Sequence, residues 1–72
     1  MPIIQLHIAE GRTVEQKAAA MAAITDAVVR TLDVRPEQVR ILISEANLEN
    51  FSIAGETMAA RAARESARPE KA

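Results

Sequence analysis

The 72-residue chain is long enough for one small domain, which buries only about 60% of the surface that its unfolded chain exposes. Its hydrophobic content is 49%, yet Phe51 is its single aromatic residue, so the core that one copy can build is marginal. The absence of cysteine excludes disulfides and thiolate metal sites, which leaves association between copies as the usual source of extra stability. We therefore predict an oligomer.

Charge and hydropathy exclude further classes of protein. A formal net charge of −1 provides no general attraction to nucleic acid or to anionic membrane surfaces. No apolar run approaches the roughly 18 residues of a membrane span, and no basic segment followed by an apolar leader opens the sequence. These features predict a cytoplasmic protein with neither nucleic-acid nor membrane partners.

The first predicted element is a strand over residues 2–8. Four apolar side chains share one of its faces: Pro2, Ile4, Leu6 and Ile8. Ile3 adds an apolar side chain to the other face, which Gln5 and His7 interrupt. A strand that is apolar on both faces is typical of a parallel sheet covered on both sides.

Pro2 directly follows Met1, so removal of Met1 would leave Pro2 with a free secondary amine. An ordinary α-amine has a pKa of about 7.7–8.0, and apolar surroundings or nearby cations lower that pKa. Such an amine can act as a general base near neutral pH. The alternative is that Pro2 only begins the strand, where its missing N–H has no consequence.

His7 is the only histidine and lies in the same strand. With no cysteine and no second histidine to share a metal ion, we expect no metal site at this residue. Our first interpretation is a buried, hydrogen-bonded histidine at an interface, and the second is a general acid or base.

A long helix is predicted after the turn formed by residues 10–12, which places Arg12 just ahead of it. Thr13 and Gln16 have the spacing of a capping box at its start. Apolar side chains then recur at three- and four-residue steps and predict a helix of about 18–20 residues. They are Val14, Ala18, Met21, Ile24, Val28 and Leu32. An alanine-rich flank of this helix favours close packing against a helix of another subunit.

The helix is predicted to end before Pro36, because the residue before a proline is biased away from the α region. Residues 39–45 follow as a second strand. Strand, crossover helix and strand predict a right-handed parallel β-α-β unit, so the fold class is α/β (α+β). Arg40 places a charge on this strand, and a buried guanidinium needs a carboxylate or an anionic ligand. An ion pair with Glu37 or Glu45 is the structural alternative.

The last part of the chain predicts a loop or short hairpin over residues 47–55, which presents Phe51 and Ile53. In so aromatic-poor a chain, Phe51 is either the plug of an interface or the apolar wall of a pocket. Residues 56–66 favour a weakly amphipathic helix. We place the end of the domain at residue 64 and expect residues 65–72 to form a flexible C-terminal tail.

Several separated positions together resemble the 4-oxalocrotonate tautomerase family, whose members have an amino-terminal proline, over residues 2–64. The matching positions are Pro2, residues 5–8, residues 10–12, residues 15–17, Arg40, Phe51, Ile53 and Gly55. The resemblance implies a β-α-β subunit that dimerises into a shared four-stranded sheet backed by two helices, and a homohexamer built as a trimer of dimers. It also implies that Pro2 is the catalytic base, that Arg12 and Arg40 bind substrate from neighbouring subunits, and that Phe51 forms the apolar pocket wall.

The reaction that the resemblance implies is the conversion of 2-hydroxymuconate, or a related dienol acid, into its conjugated 2-oxo form during aromatic compound degradation. Ketonisation moves a proton from an enol oxygen to a distant carbon, so one base suffices and no metal or organic cofactor is needed. Two guanidinium groups suit a dicarboxylate substrate. We expect Arg40 to hold the carboxylate beside the oxo group and to stabilise charge on that oxygen, while Arg12 binds the far carboxylate.

The sequence also departs from the family pattern. Ala9 and Ala46 stand where the classical tautomerase has larger apolar residues, and Ser52 and Ala54 replace glycines, which predicts a roomier or reshaped pocket. Ala9 and Ile53 also occupy the places of the second arginine and the water-activating glutamate in relatives that dehalogenate 3-chloroacrylates, which argues against that reaction. Two alternatives stay open, namely a non-catalytic small-ligand binder with the same fold and one chain of a mixed hexamer.

Overall fold

The computed structural model describes residues 1–66 as a β-α-β unit followed by a small hairpin and a second helix. Strand β1 spans Ile3–Ala9, helix α1 spans Val14–Leu32 and strand β2 spans Arg40–Ala46. The two strands pair in parallel, from Ile3 opposite Arg40 to Ala9 opposite Ala46. The predicted fold class is confirmed.

The start of helix α1 forms for the reason that its sequence indicates. The Thr13 hydroxyl accepts a hydrogen bond from the Gln16 backbone N–H at 3.0 Å, and the Gln16 side chain accepts one from the Thr13 N–H at 2.9 Å. Two N–H groups that a helix start leaves unpaired are thereby satisfied. The capping box and the helix length are both as predicted.

Helix α1 is ended by its C-cap residue and not, as the sequence suggested, by the proline that follows. Asp33 has a left-handed conformation, with φ at 57°, and its N–H donates to the Val29 carbonyl at 3.1 Å. The chain therefore leaves the helix three residues ahead of Pro36. Pro36 instead begins a 3-10 turn over Pro36–Gln38. The Val39 N–H closes that turn on the Pro36 carbonyl, which delays the start of β2 to Arg40.

The predicted loop or hairpin contains a 3-10 turn, Leu48–Asn50, and then two short antiparallel strands. Strand β3 spans Ser52–Ile53 and strand β4 spans Glu56–Thr57. Ala54 and Gly55 connect them with φ angles of 54° and 85°, which is the pattern of a type I′ turn. Glycine adopts this conformation freely, whereas Ala54 does so at a cost of about 1–2 kcal/mol.

Helix α2 spans Met58–Ser66 and so continues two residues past the predicted end of the domain. Residues 67–72, which make up most of the predicted tail, lie outside the described residues. The domain boundary therefore stays a prediction. No helix within residues 1–66 is both long enough and apolar enough to cross a membrane.

One face of the two-stranded sheet is covered by α1 and the other is open. The side chains of Ile4, Leu6, Ile8, Ile41 and Ile43 are half-buried on the covered face. On the open face, Ile3 and Leu42 are 65% and 60% exposed. No side chain within residues 1–66 is fully buried, so the strand burial on both faces that the sequence predicted is not achieved by one copy.

Candidate active site

Pro2 and Arg40 lie next to each other at the amino-terminal end of the sheet. The Arg40 N–H donates a hydrogen bond to the Pro2 carbonyl at 3.0 Å, and Arg40 stands opposite Ile3 in the strand register. Because side chains alternate along a strand, the Pro2 ring falls on the face of Ile4 and the Arg40 side chain on the face of Ile3. The two residues are neighbours in the backbone, while their side chains belong to opposite faces.

Arg40 is exposed and does not form the ion pair that was its structural alternative. Its Nη1 donates to the backbone carbonyl of Glu37 at 3.1 Å, and not to a carboxylate. Glu45, the other candidate partner, lies in the same strand with its side chain on the opposite, covered face, and it forms an ion pair with Lys17 at 2.9 Å. For a single chain, the predicted burial of Arg40 is therefore wrong, and the alternative of an ion pair with these glutamates does not form. The guanidinium keeps donors for another group.

Arg12 and Phe51 lie at the opposite end of the sheet. Arg12 follows Gly11, whose φ of 122° turns the chain from β1 towards the helix. Six residue steps at about 3.3 Å separate the two ends of each strand, which amounts to roughly 20 Å. One chain therefore brings Pro2 near Arg40 and holds both far from Arg12 and Phe51.

A cavity of about 220 Å³ lies beside Arg12, between the start of α1 and the covered face of the sheet. It is lined by Leu6, Ile8, Arg12, Gln16, Lys17, Ala20 and Ile43. Lys17 is already paired with Glu45, whereas Arg12 has no carboxylate partner within the described part of the chain. Arg12 is thus a cation at an apolar cavity that can accept an anionic group.

We named Glu45 only as an alternative partner for Arg40 and did not predict its ion pair with Lys17. The sequence does contain an indication of this pair. A lysine beside the apolar stripe of an amphipathic helix needs a hydrogen-bond acceptor, and Glu45 is the one acidic residue of β2. The pair between α1 and β2 leaves Arg12 as the cation beside this cavity that no carboxylate of residues 1–66 neutralises.

A second cavity, of about 170 Å³, lies against Phe51 on the open face of the sheet. Its other lining residues are His7, Ile8 and Ala46. Ala46 stands opposite Ala9 in the register, so the two alanines that depart from the family pattern are direct neighbours. The small side chain of Ala46 leaves space beside Phe51, which is itself 44% exposed.

Comparison with known proteins places this chain in one family. The family model described as "Tautomerase enzyme" matches residues 2–61. The 2-hydroxymuconate tautomerase of Pseudomonas sp. (strain CF600) is 46% identical over 56 residues, which cover 78% of this chain and 89% of that protein.

Solved structures agree with the sequence relatives. A structure from work on the 4-oxalocrotonate tautomerase isozymes of Methylibium petroleiphilum is 68% identical, with a TM-score of 0.84, and the match covers 88% of this chain and 98% of that one. The heterohexamer 4-oxalocrotonate tautomerase of Chloroflexus aurantiacus J-10-fl is 32% identical with a TM-score of 0.78, covering 82% and 95%. The chain therefore belongs to the 4-oxalocrotonate tautomerase family of the tautomerase superfamily and is a keto-enol tautomerase, an isomerase.

Proposed function

We propose that this tautomerase converts 2-hydroxymuconate, or a closely related 2-hydroxydienoate, into the conjugated 2-oxo acid with Pro2 as the general base. The observation that carries the proposal is the position of Pro2, which is half-buried at the end of the sheet directly behind Met1. Met1 is 67% exposed, so a processing peptidase can reach it. Its removal turns the Pro2 nitrogen from an amide into a secondary amine.

The chemistry needs one group that accepts a proton and returns it. The neutral amine of Pro2 takes the proton from the 2-hydroxyl oxygen, and the oxygen forms the C=O bond as the double bonds shift along the chain. The resulting ammonium group then delivers the same proton to the carbon at the far end of the conjugated system. Since no proton is consumed overall, a single base is sufficient.

The arginines would bind the two carboxylates of the substrate. Arg40 keeps donors for an anion, and we assign it to the carboxylate beside the developing oxyanion, whose charge it stabilises. Arg12 would hold the far carboxylate, and Phe51 would form the apolar wall. An apolar wall and nearby cations both favour the neutral amine that a base requires.

These residues can meet only if more than one copy contributes to each site. Pro2 lies roughly 20 Å from Arg12 within one chain, which is longer than a dicarboxylate of six carbons. A homohexamer, the assembly that the resemblance implies, would bring the Arg12 end of one copy to the Pro2 end of another. The exposed apolar face of the sheet supports such an assembly.

The decisive experiment concerns Met1. With Met1 in place, the Pro2 nitrogen is a tertiary amide whose lone pair is delocalised into the carbonyl, so it is neither basic nor a proton carrier. We expect mass spectrometry of active protein to show a chain that begins at Pro2. A chain with a cleavable extension ahead of Pro2 should be inactive, and cleavage that exposes Pro2 should restore the reaction. Full activity of the uncleaved protein would refute Pro2 as the base.

A mixed hexamer is the second candidate, because a 32% identical relative is a heterohexamer. The chain carries Pro2, Arg12 and Arg40 itself, which favours the homohexamer. Sedimentation and activity of the chain purified alone separate the two. An inactive protein that gains activity only with a second tautomerase chain would establish the mixed assembly.

A further inference from the structure

The hairpin that carries Phe51 has little structure of its own. Phe51 lies between a three-residue 3-10 turn and strand β3, and β3 and β4 have two residues each. An isolated two-stranded hairpin is marginally stable at best. The position of the Phe51 ring must therefore be fixed by contacts outside the hairpin ladder.

The first of these contacts is made by the backbone. The Phe51 carbonyl accepts a hydrogen bond from the Met58 N–H at 2.7 Å, and Met58 is the first residue of α2. The Thr57 hydroxyl accepts one from the Ala60 N–H at 3.0 Å, which caps the same helix end. The placement of Phe51 thus depends on where α2 begins and how it is oriented.

The second contact ties the body of α2 back to the hairpin. Arg64 donates from Nε and Nη2 to the two carboxylate oxygens of Glu56, both at 2.9 Å. Glu56 stands opposite Ile53 in the hairpin. A bidentate pair fixes direction as well as distance, because both hydrogen bonds must be aligned. The same hydrogen bonds hold the pKa of Glu56 below its usual value.

We propose that Arg64 and Glu56 form a clamp that sets the orientation of α2 and thereby positions Phe51 as the wall of the substrate pocket. Arg64 touches no reacting group, so it is a positioning residue that acts through Phe51. This inference rests on the proposed function only in assigning Phe51 to the pocket.

The experiment compares two arginines of the same helix. Arg64→Ala removes the clamp, while Arg61→Ala removes a pair with Glu65 that lies within α2 and leaves both hydrogen bonds of the clamp in place. With 2-hydroxymuconate as the substrate, we expect Arg64→Ala to raise KM about three- to tenfold with kcat changed less than twofold. Arg61→Ala should leave both constants unchanged. Glu56→Gln should reproduce the Arg64→Ala effect, and the exchange Glu56→Arg with Arg64→Glu should recover most of it.

A second measurement observes Phe51 directly. As the only Phe, Tyr or Trp residue, Phe51 gives ring proton signals that need no further assignment to a position. These signals should shift in Arg64→Ala and in Glu56→Gln, and should stay unchanged in Arg61→Ala. Arg64→Lys keeps the positive charge but cannot form the bidentate pair of hydrogen bonds, so it should give an intermediate shift of the Phe51 signals.

The two measurements separate the clamp from the proposed function. A wild-type protein without activity on 2-hydroxymuconate would count against the proposed function, while the Phe51 signals would still report on the clamp. If Arg64→Ala and Arg61→Ala have equal effects on KM, or if the Phe51 signals do not move in Arg64→Ala, the clamp is wrong. Aggregation of Arg64→Ala would leave Arg64→Lys and Glu56→Gln to decide the question by the same two readouts.

Discussion

Leu42 offers the sharpest test of whether other copies supply the core that one chain lacks. It lies at the centre of the open sheet face and is 60% exposed in the single chain. If that face met water, Leu42→Lys would change the free energy of unfolding by no more than about 0.5 kcal/mol. If the face is buried between copies, an unpaired lysine there should cost several kcal/mol per chain and abolish assembly.

The exposed apolar side chains show what the core of one chain lacks. Ile3 and Leu42 on the open sheet face are 65% and 60% exposed, and Phe51 and Ile53 are 44% and 48% exposed. Full burial of one such side chain contributes about 1.5–3 kcal/mol. Contacts between copies that cover these side chains would therefore contribute several kcal/mol per chain.

The assay is thermal unfolding at several protein concentrations. For a folded hexamer that dissociates as it unfolds, each tenfold rise in concentration adds about 1.1 kcal/mol of stability per chain, and a dimer gains about 0.7 kcal/mol. A change of 1 kcal/mol shifts Tm by roughly 4–8 °C for a domain of this size. The Tm of wild type should rise with protein concentration by this amount. The Tm of the control Ala63→Lys, a change at an exposed position of α2, should rise by the same amount. A stable wild-type monomer, or a Leu42→Lys variant with unchanged Tm and slope, would refute the reasoning.

Four further predictions follow from single sites. Arg40→Ala should chiefly lower kcat and Arg12→Ala should chiefly raise KM for a dicarboxylate, so equal losses in steady-state assays would contradict the division of roles. Ala54→Gly should raise Tm at fixed concentration by the equivalent of about 0.5 kcal/mol, because relief of the left-handed strain exceeds the added chain entropy. Ala46→Met should fill the cavity beside Phe51 and raise KM most for substrates with a bulky substituent, whereas an equal change for all substrates would contradict this. Glu56 contributes stability that is present above its unfolded pKa and is lost as pH falls through its lower folded pKa, so wild type and Glu56→Gln should converge in Tm on acidification.

The β-α-β core was predictable because its signals are local and periodic. Thr13 and Gln16 mark the start of α1, and the apolar steps that follow fix its covered face. The left-handed conformations of Asp33 and Ala54 were not predictable, since neither residue type requires a positive φ. They are set by how the chain must leave the helix and turn the hairpin.

The candidate site was less predictable than the fold, for two physical reasons. The apolar neighbours of Arg40 in the sequence predicted a buried arginine, whereas a single chain exposes it. The contact of Arg64 with Glu56 joins a helix to a hairpin, so the period of neither element predicts it. Such a contact can be predicted only when the geometry of the turn between the helix and the hairpin is known.

Under the proposed function, the parallel topology makes assembly a condition for catalysis as well as for stability. In a parallel pair the starts of both strands share one end of the sheet, so Pro2 and Arg40 cannot approach Arg12 and Phe51 in the same chain. If the proposed function is correct, the surfaces that complete the core also complete the site. Activity and folded structure should then be lost over the same range of dilution, and a dilution series that follows tautomerisation and helical circular dichroism together measures both. A monomer that kept full activity after losing its partners would show that one chain can form the site by a rearrangement larger than any side-chain movement.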